Sequence, residues 1–376
     1  IQTFSQNKLF TLCHLIYTDT FYMKRKWIRW VSWILLTPII LFVILMVLLY
    51  VPPVQNLLRR EVTAYASKVT GMQIQVERID LRFPLNLLVR GVEVIQQPDT
   101  LLSLESLNVR VQAWPLIKGK VEVDEVTLSR VAVNSADLME GMKIKGVLGR
   151  FFLQSHGVDL SNELAVINQV ELSDTHMQLL MNDTTTTPKD TTASAPINWK
   201  VALHQLKLKN VSFGMQLPAD SMRMTAHIGE AAINNAQADL KNQYYDLKKF
   251  LLSGTSASYD TGTAQPTEGF DASHIAVRDI RIALDSLLYK GRDMNAVIRE
   301  FTMNERSGLS VTALTGRAYS NDSVICVPSL KLNTPHSEID LSAHTYWELV
   351  NIPTTGRLSA RLNAYIGKED VMLFAG

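Results

Sequence analysis

The sequence predicts a mainly β protein: an N-terminal membrane helix, a short amphipathic helix, then a long succession of strands. Three observations carry this. Residues 31–51 contain no charged side chain. Apolar residues recur at helical spacing over 54–70, and from Met72 onward the apolar period falls to two.

The uncharged stretch, VSWILLTPIILFVILMVLLYV, is long enough to cross a ~30 Å hydrocarbon core as one helix at ~1.5 Å per residue. Pro38 near its start costs at most a kink, which membrane helices tolerate. Trp27, Trp30, Trp33 and Tyr50 lie toward its ends, where amphipathic rings prefer the interface. Lys24, Arg25, Lys26 and Arg29 precede it, which places the N-terminus in the cytoplasm and the bulk outside; Arg59 and Arg60 stand on the other side. The apolar run is too long for a cleaved secretory signal, and no A-x-A-like site follows. The sequence begins with Ile, and the basic cluster starts only at Met23, so residues 1–22 read as an untranslated or non-native leader and 23–53 as basic tail plus anchor.

Over 54–70, Val54, Leu57, Leu58, Val62, Tyr65, Ala66 and Val69 form one stripe that Gly71 ends. Its polar face is not strongly basic, so the expectation is a helix that packs on a core rather than on a membrane surface. Strand alternation follows at Ile74, Val76, Ile79 and Leu81, then Leu87 to Val94 and Leu102 to Val111. The clearest run is 119–133, with Val121, Val123, Val126, Leu128, Val131 and Val133. Between apolar pairs, two polar residues intervene rather than one, which would turn the strand's apolar side chains to the opposite face. Either a turn separates the halves or a β-bulge restores the face. The pattern recurs at Val201, Leu203, Leu206, Leu208, Val211 and Phe213, and at Ile275, Val277, Ile280, Ile282 and Leu284, which points to a recurrent unit.

Asp137 to Phe152 reads as a short amphipathic helix weakened by three glycines, and Asp239 to Leu252 fits strand or helix. The tract NDTTTTPKDTTASAP, 182–196, is polar and of low complexity; it reads as a disordered spacer between strands at 54–181 and their continuation at 197–376. Apolar alternation resumes at Ile339 to Ala343 and Leu358 to Leu362. The apolar ending at 371–374 suggests an uncovered strand edge, hence the front part of a longer chain.

Charge and motifs narrow the chemistry. A net charge of +1 gives no nucleic-acid footprint. Of two cysteines, Cys13 lies in the leader, so no disulfide framework is expected and Cys326 reads as a small buried hydrophobe. The eight histidines lack ligand spacing, and no P-loop, G-x-S-x-G or G-x-G-x-x-G is present. Asp99–Thr100 and Asp322–Ser323 read as turn residues. The expectation is therefore no enzyme, no metal and no cofactor.

The segments 54–94, 98–111, 114–133 and later 270–289 and 307–343, behind a membrane anchor, resemble the N-terminal portion of the TamB proteins of the Bacteroidetes type, within the AsmA-like group. The resemblance is most specific at Gly71 to Val94 and Leu116 to Val133. It implies a long periplasmic antiparallel sheet curled into an open, β-taco-like groove with an apolar lining. It also implies phospholipid carried from the inner membrane toward the outer membrane, and a BamA-like outer-membrane barrel as partner through a C-terminal part beyond this chain. On that reading Val121, Val123, Val126, Leu128, Leu206, Leu208, Ile280 and Ile282 line the groove; the default for each is an ordinary closed core. The alternatives are an assembly factor for outer-membrane proteins that pairs a sheet edge with a client strand, and a tethered binding or sensor domain.

Overall fold

Among the described residues, alternation of apolar and polar residues from Gln73 onward produces a single sheet of sixteen strands. The computed structural model describes residues 36–37, 40, 44, 47–48, 50–96, 99–117, 122–135, 141–159, 162–181, 198–351, 354 and 356–375. The leader, the basic cluster, most of the 31–51 segment, Val121 and the 182–196 tract lie outside them. Leu36, Thr37, Ile40, Ile44, Val47 and Leu48 are helical. Among the described residues no helix is long and apolar enough to cross a membrane.

The chain divides into two units, residues 1–60 and 61–376, and the sheet belongs wholly to the second. Helix α1, Pro52–Thr70, forms where the stripe predicts it. It does not pack on a core. No residue in it is buried, and Val62, Tyr65 and Val69 are exposed. The half-buried positions are Val54, Gln55, Arg59, Thr63, Ala66 and Ser67, so the side turned from solvent is a more polar one than the stripe; at the end of the helix the Ile74 amide donates to Ser67 Oγ at 3.1 Å.

The strands are β1 Gln73–Arg82, β2 Asn86–Gln96, β3 Asp99–Val111, β4 Val123–Asn134, β5 Met142–Asp159, β6 Leu164–Met181, β7 Lys200–Leu217 and β8 Met222–Asp239. Then follow β9 Tyr244–Asp260, β10 His274–Lys290, β11 Asp293–Glu305, β12 Ser310–Val311, β13 Ala313–Ser320, β14 Val324–Asn333, β15 Glu338–Tyr346 and β16 Leu358–Tyr365. Short helices α2 Ala113–Ile117, α3 Trp347–Asn351 and α4 Lys368–Met372 sit at strand ends. The strands lie in chain order along one open, curled sheet; only β12 stands off this path, paired to β11. At ~4.8 Å per step, fifteen strands in line extend roughly 65 Å.

Three expectations are corrected. Residues 142–152 are not helical but open β5. Ile144, Leu148 and Phe151 fall at helical spacing because a two-residue step at Gly149–Arg150 interrupts the strand period, so a bent strand imitates an amphipathic helix. The sheet is not wholly antiparallel: β6 and β7 pair in parallel from Leu164 opposite Lys200 to Leu180 opposite Gln216. A parallel pair requires a return along the strand. Eighteen residues, 182 to 199, separate them, and at ~3.3 Å each they reach about 60 Å, enough for that return. Finally, residues 371–374 do not form the edge strand.

That edge is β16, exposed at every position, while α4 folds back over neighbouring turns. The buried Asp370 carboxylate accepts hydrogen bonds from the Thr334 and Ser337 hydroxyls. The Phe270 amide donates to the Leu373 carbonyl at 2.7 Å, and the Phe270 and Phe374 rings lie 5.2 Å apart.

The polar doublets are creases. On β4, β6, β7 and β10 the second residue of a doublet takes positive φ: Arg130 at 46°, Asp174 at 51°, Asn210 at 52° and Asp279 at 54°, with Gly91 and Gly254 at 58° on β2 and β9. Asn, Asp and Gly reach this region at little cost. Arg130 is held there with its side chain ion-paired to Glu105 of β3, and Asn210 Nδ2 donates to Asp174 Oδ1 at 2.8 Å. Except at Asp279, where the register shifts, the pairing runs through these points unchanged: Ser129 opposes Arg150 and Val131 opposes Leu148; Lys209 opposes Glu230 and Val211 opposes Ile228. An extra residue in one strand alone would shift the ladder. Here each neighbour carries its own at the same level. Room at the crease is tight, since a Cβ on Gly229 would stand 2.7 Å from the Gly254 carbonyl oxygen.

Replacing Asn210 by Val puts a β-branched residue into the left-handed region and should cost about 1–2 kcal/mol in urea unfolding; Asn210→Gly should cost distinctly less, losing only the bond to Asp174.

Candidate functional site

Six consecutive strands share a seven-residue motif: doublet, apolar–x–apolar triplet, doublet. It reads DE-VTL-SR at 124–130, GR-FFL-QS at 149–155, NQ-VEL-SD at 168–174, HQ-LKL-KN at 204–210, GE-AAI-NN at 229–235 and KK-FLL-SG at 248–254. The motif is the same read in either direction. It therefore aligns its creases with an antiparallel neighbour and equally with the parallel one at β6–β7, while at Gln154–Ser155 the register of β5 on β6 shifts. The residues between the creases form a floor two apolar positions wide. On β10 the doublets stand further apart, with Ile280 to Leu284 between them, and there the register against β9 and β11 shifts.

Cross-strand partners share a face, so the pairing defines ladders of side chains. One ladder crosses every strand of the main path. It begins at Leu81, Leu87, Val109, Val126 and Leu153. It continues through Val170, Leu206, Ile233, Phe250 and Leu284. It ends through Ile298, Gly316, Leu330, Leu341 and Leu362. No polar side chain interrupts it. A second ladder, from Ile79 through Leu107, Leu128, Phe151, Leu172, Leu208 and Leu252 to Ile282 and Phe301, runs beside it from β1 to β11.

Of the residues expected to line a groove, Val126 and Leu206 stand on the first ladder, and Leu128, Leu208 and Ile282 on the second. Ile280 lies on the same face, opposite Thr255. Val123 lies beyond the other crease, opposite Val111, and its carbonyl accepts the Ser155 hydroxyl. Val121 is outside the described residues. All seven placed residues are half-buried. Among the described residues no large side chain is fully buried, and Ala231 is the floor residue that is most enclosed, at 6 % exposure. The apolar face is thus lined but not filled, and the default of a closed core under α1 is not what forms. Cys326 likewise is only half-buried.

Two threonines interrupt this face without making it polar. Thr175 and Thr255 are buried, and their hydroxyls turn back to donate to the carbonyls of Ser173 and Ser253 at 3.1 and 3.4 Å. Their methyl groups remain for the apolar face. The polar groups of the creases satisfy one another on the outer side: Asn168 with His156 at 2.6 Å, Asn304 with Asp279 at 3.2 Å, Arg299 with Asp285 at 3.3 Å. A hydrogen-bonded crease costs little where an unpaired one would cost the desolvation of each group.

The sequence marks the doublets and allows a turn or a bulge at each, but their alignment from strand to strand was missed. The signal was present as a constant spacing of five residues between doublets, repeated on β4 to β9. Among the described residues no group of His, Cys, Asp and Glu is placed to hold a metal ion. No protein-family model matches the chain, and no curated protein matches it.

One carboxylate outside the floor is held far from its ordinary behaviour. The amides of Thr267 and Ser273 donate to Asp271 at 3.1 and 2.9 Å, and His274 adds a contact at 3.0 Å; these lower its pKa from 3.8 to about 2. A depressed carboxylate stabilises the fold above pH ~4, and this contribution disappears as pH falls toward 2. Asp271→Asn should lower the melting temperature at neutral pH and flatten its decline between pH 4 and 2, followed by circular dichroism.

Proposed function

We propose that this chain is a conduit for phospholipid, tethered to the inner membrane by residues 31–51, with its sheet in the periplasm, and that it serves outer-membrane biogenesis. The observation that carries the reading is the apolar ladder running without a polar break from Leu81 to Leu362 on a face that the described side chains leave unfilled. An uncovered, contiguous apolar strip of this kind is a binding surface or a liability. Here it is continuous over roughly 65 Å, far longer than a pocket for one small ligand requires.

Acyl chains gain ~0.8 kcal/mol per methylene removed from water. A tail lying along the floor needs no specific polar contact, and successive strands offer equivalent rungs. Translation along the ladder then meets no deep well, which suits passage better than storage. The headgroup, meanwhile, can remain at the open side in water. The uncharged segment with its preceding Lys24, Arg25, Lys26 and Arg29 supports attachment to the inner membrane.

A photoreactive residue at Leu206, Leu208 or Ile282 of the full chain in cells should yield phospholipid adducts, and one at the outward Lys207 should not. If no inward position gives a lipid adduct, the conduit reading fails.

A second reading, assembly of outer-membrane proteins by strand pairing, is favoured by β16, whose free edge exposes Leu358, Leu362 and Tyr365 with Arg361 as its one charge. It predicts that an unfolded barrel polypeptide diluted from urea binds the chain, and that Leu362→Lys weakens this binding several-fold in a pull-down.

A further inference from the structure

The outward face carries a feature that the apolar floor does not explain. A cavity of about 450 Å³ opens over β5 to β8, beyond the first crease. Three rows of outward positions build it. Lys145, Gln178, Gly214 and Thr225 oppose one another in turn. The row on one side joins Lys143 through Leu180 and Gln216 to Arg223, and the row on the other joins His176, Ser212 and His227.

Gly214 makes the depression. A Cβ there would meet only Gln178 Cγ, at 3.8 Å, so the centre is bare backbone between taller walls. The walls are cationic: Lys143 and Lys145 stand on β5 and Arg223 on β8, three strands or ~14 Å apart, a gap their long side chains can close from both sides. Two imidazoles, His176 and His227, face the same space. His227 Nδ1 is engaged by Ser212 Oγ at 2.9 Å, which fixes the ring. His176 Nε2 contacts Gln178 at 3.1 Å. Among the described residues lining the cavity there is no carboxylate. Asp260, the register partner of Arg223, lies on the next strand, β9, outside the lining.

Cations standing on two sides of a shallow depression floored by Gly214 backbone, Gln178, Ser212 and Thr225 suit a compact polyanion, and charge-assisted contacts of Lys and Arg favour phosphate oxygens. We propose that this outer-face depression binds a phosphate-bearing anion, either a free phosphate compound or the headgroup of an anionic lipid. The proposal stands apart from the conduit reading, because it uses the opposite face of the sheet and none of the floor residues.

The test is calorimetric titration of the full chain in detergent micelles with two soluble probes, inorganic pyrophosphate and glycerophosphoglycerol, the deacylated headgroup of phosphatidylglycerol. Saturable binding of at least one is expected. The Lys145→Ala/Arg223→Ala double variant should lose tenfold or more in affinity. Gly214→Leu, which keeps every cation and fills the centre, should lose a similar factor. Lys207→Ala, outward but outside the depression, should bind unchanged. Tighter pyrophosphate assigns a free phosphate compound, and tighter glycerophosphoglycerol assigns a lipid headgroup. Saturable binding of neither probe, or binding that survives both Gly214→Leu and the double variant, overturns the proposal.

Discussion

A strand that bends must do so without turning its apolar side chains outward, and this constraint shapes the whole sheet. The period of two allows no slack: one extra residue exchanges the faces. A single strand can absorb the extra residue in a bulge, but its neighbours then lose register. In this protein the extra residue enters neighbouring strands at the same level. Ser129 to Val131 against Leu148 to Arg150, and Lys209 to Val211 against Ile228 to Glu230, pass through the crease with their pairing intact. The bend is thus a property of the sheet rather than of any strand. Reversal symmetry of the doublet–triplet–doublet motif extends it across antiparallel and parallel neighbours alike.

Two consequences follow from that alignment. The floor between the creases presents Val126, Leu153, Val170, Leu206 and Ile233 in one uninterrupted line, because each strand contributes its triplet at the same height. The same floor stays open, because among the described residues none is placed to fill it. Helix α1 buries none of its residues, and the short helices α2 to α4 lie at strand ends. Stability comes instead from ladder hydrogen bonds and from side chains half-covered by their neighbours along and across the strands. Such a sheet tolerates an occupant on its apolar face, since an occupant adds burial without displacing any core.

The outer side obeys different rules. Most creases carry two adjacent polar residues, so the outer face carries bands of Asn, Asp, Lys and His, several of which bond to one another. Beyond the crease, at Gly214, the outer face sinks and the flanking cations of β5 and β8 face a common space. The chemistry of the two faces is therefore separate: the inner one is uniform and apolar, and the outer one is varied and local.

Much of this was legible in the residues. Alternation located the strands, the stripe over 54–70 located α1, and the doublets signalled a turn or a bulge where Arg130, Asn210 and Asp279 take positive φ. Five of the eight residues expected to line the apolar face fall on its two main ladders, since alternation alone decides which side chains share a face. Local spacing misled at 142–152, where the crease at Gly149–Arg150 spaced Ile144, Leu148 and Phe151 like a helix.

The sequence by itself determined the period, the polar doublets and the amphipathic faces, because these depend on neighbours a few residues apart. Only the tertiary structure decided that creases line up from strand to strand, that β6 and β7 run parallel, that β16 rather than 371–374 forms the free edge, and that the apolar face stays unfilled. Each of these depends on residues distant in the chain, settled by hydrogen-bond register across the sheet and by the fact that none of the described residues is placed to cover it.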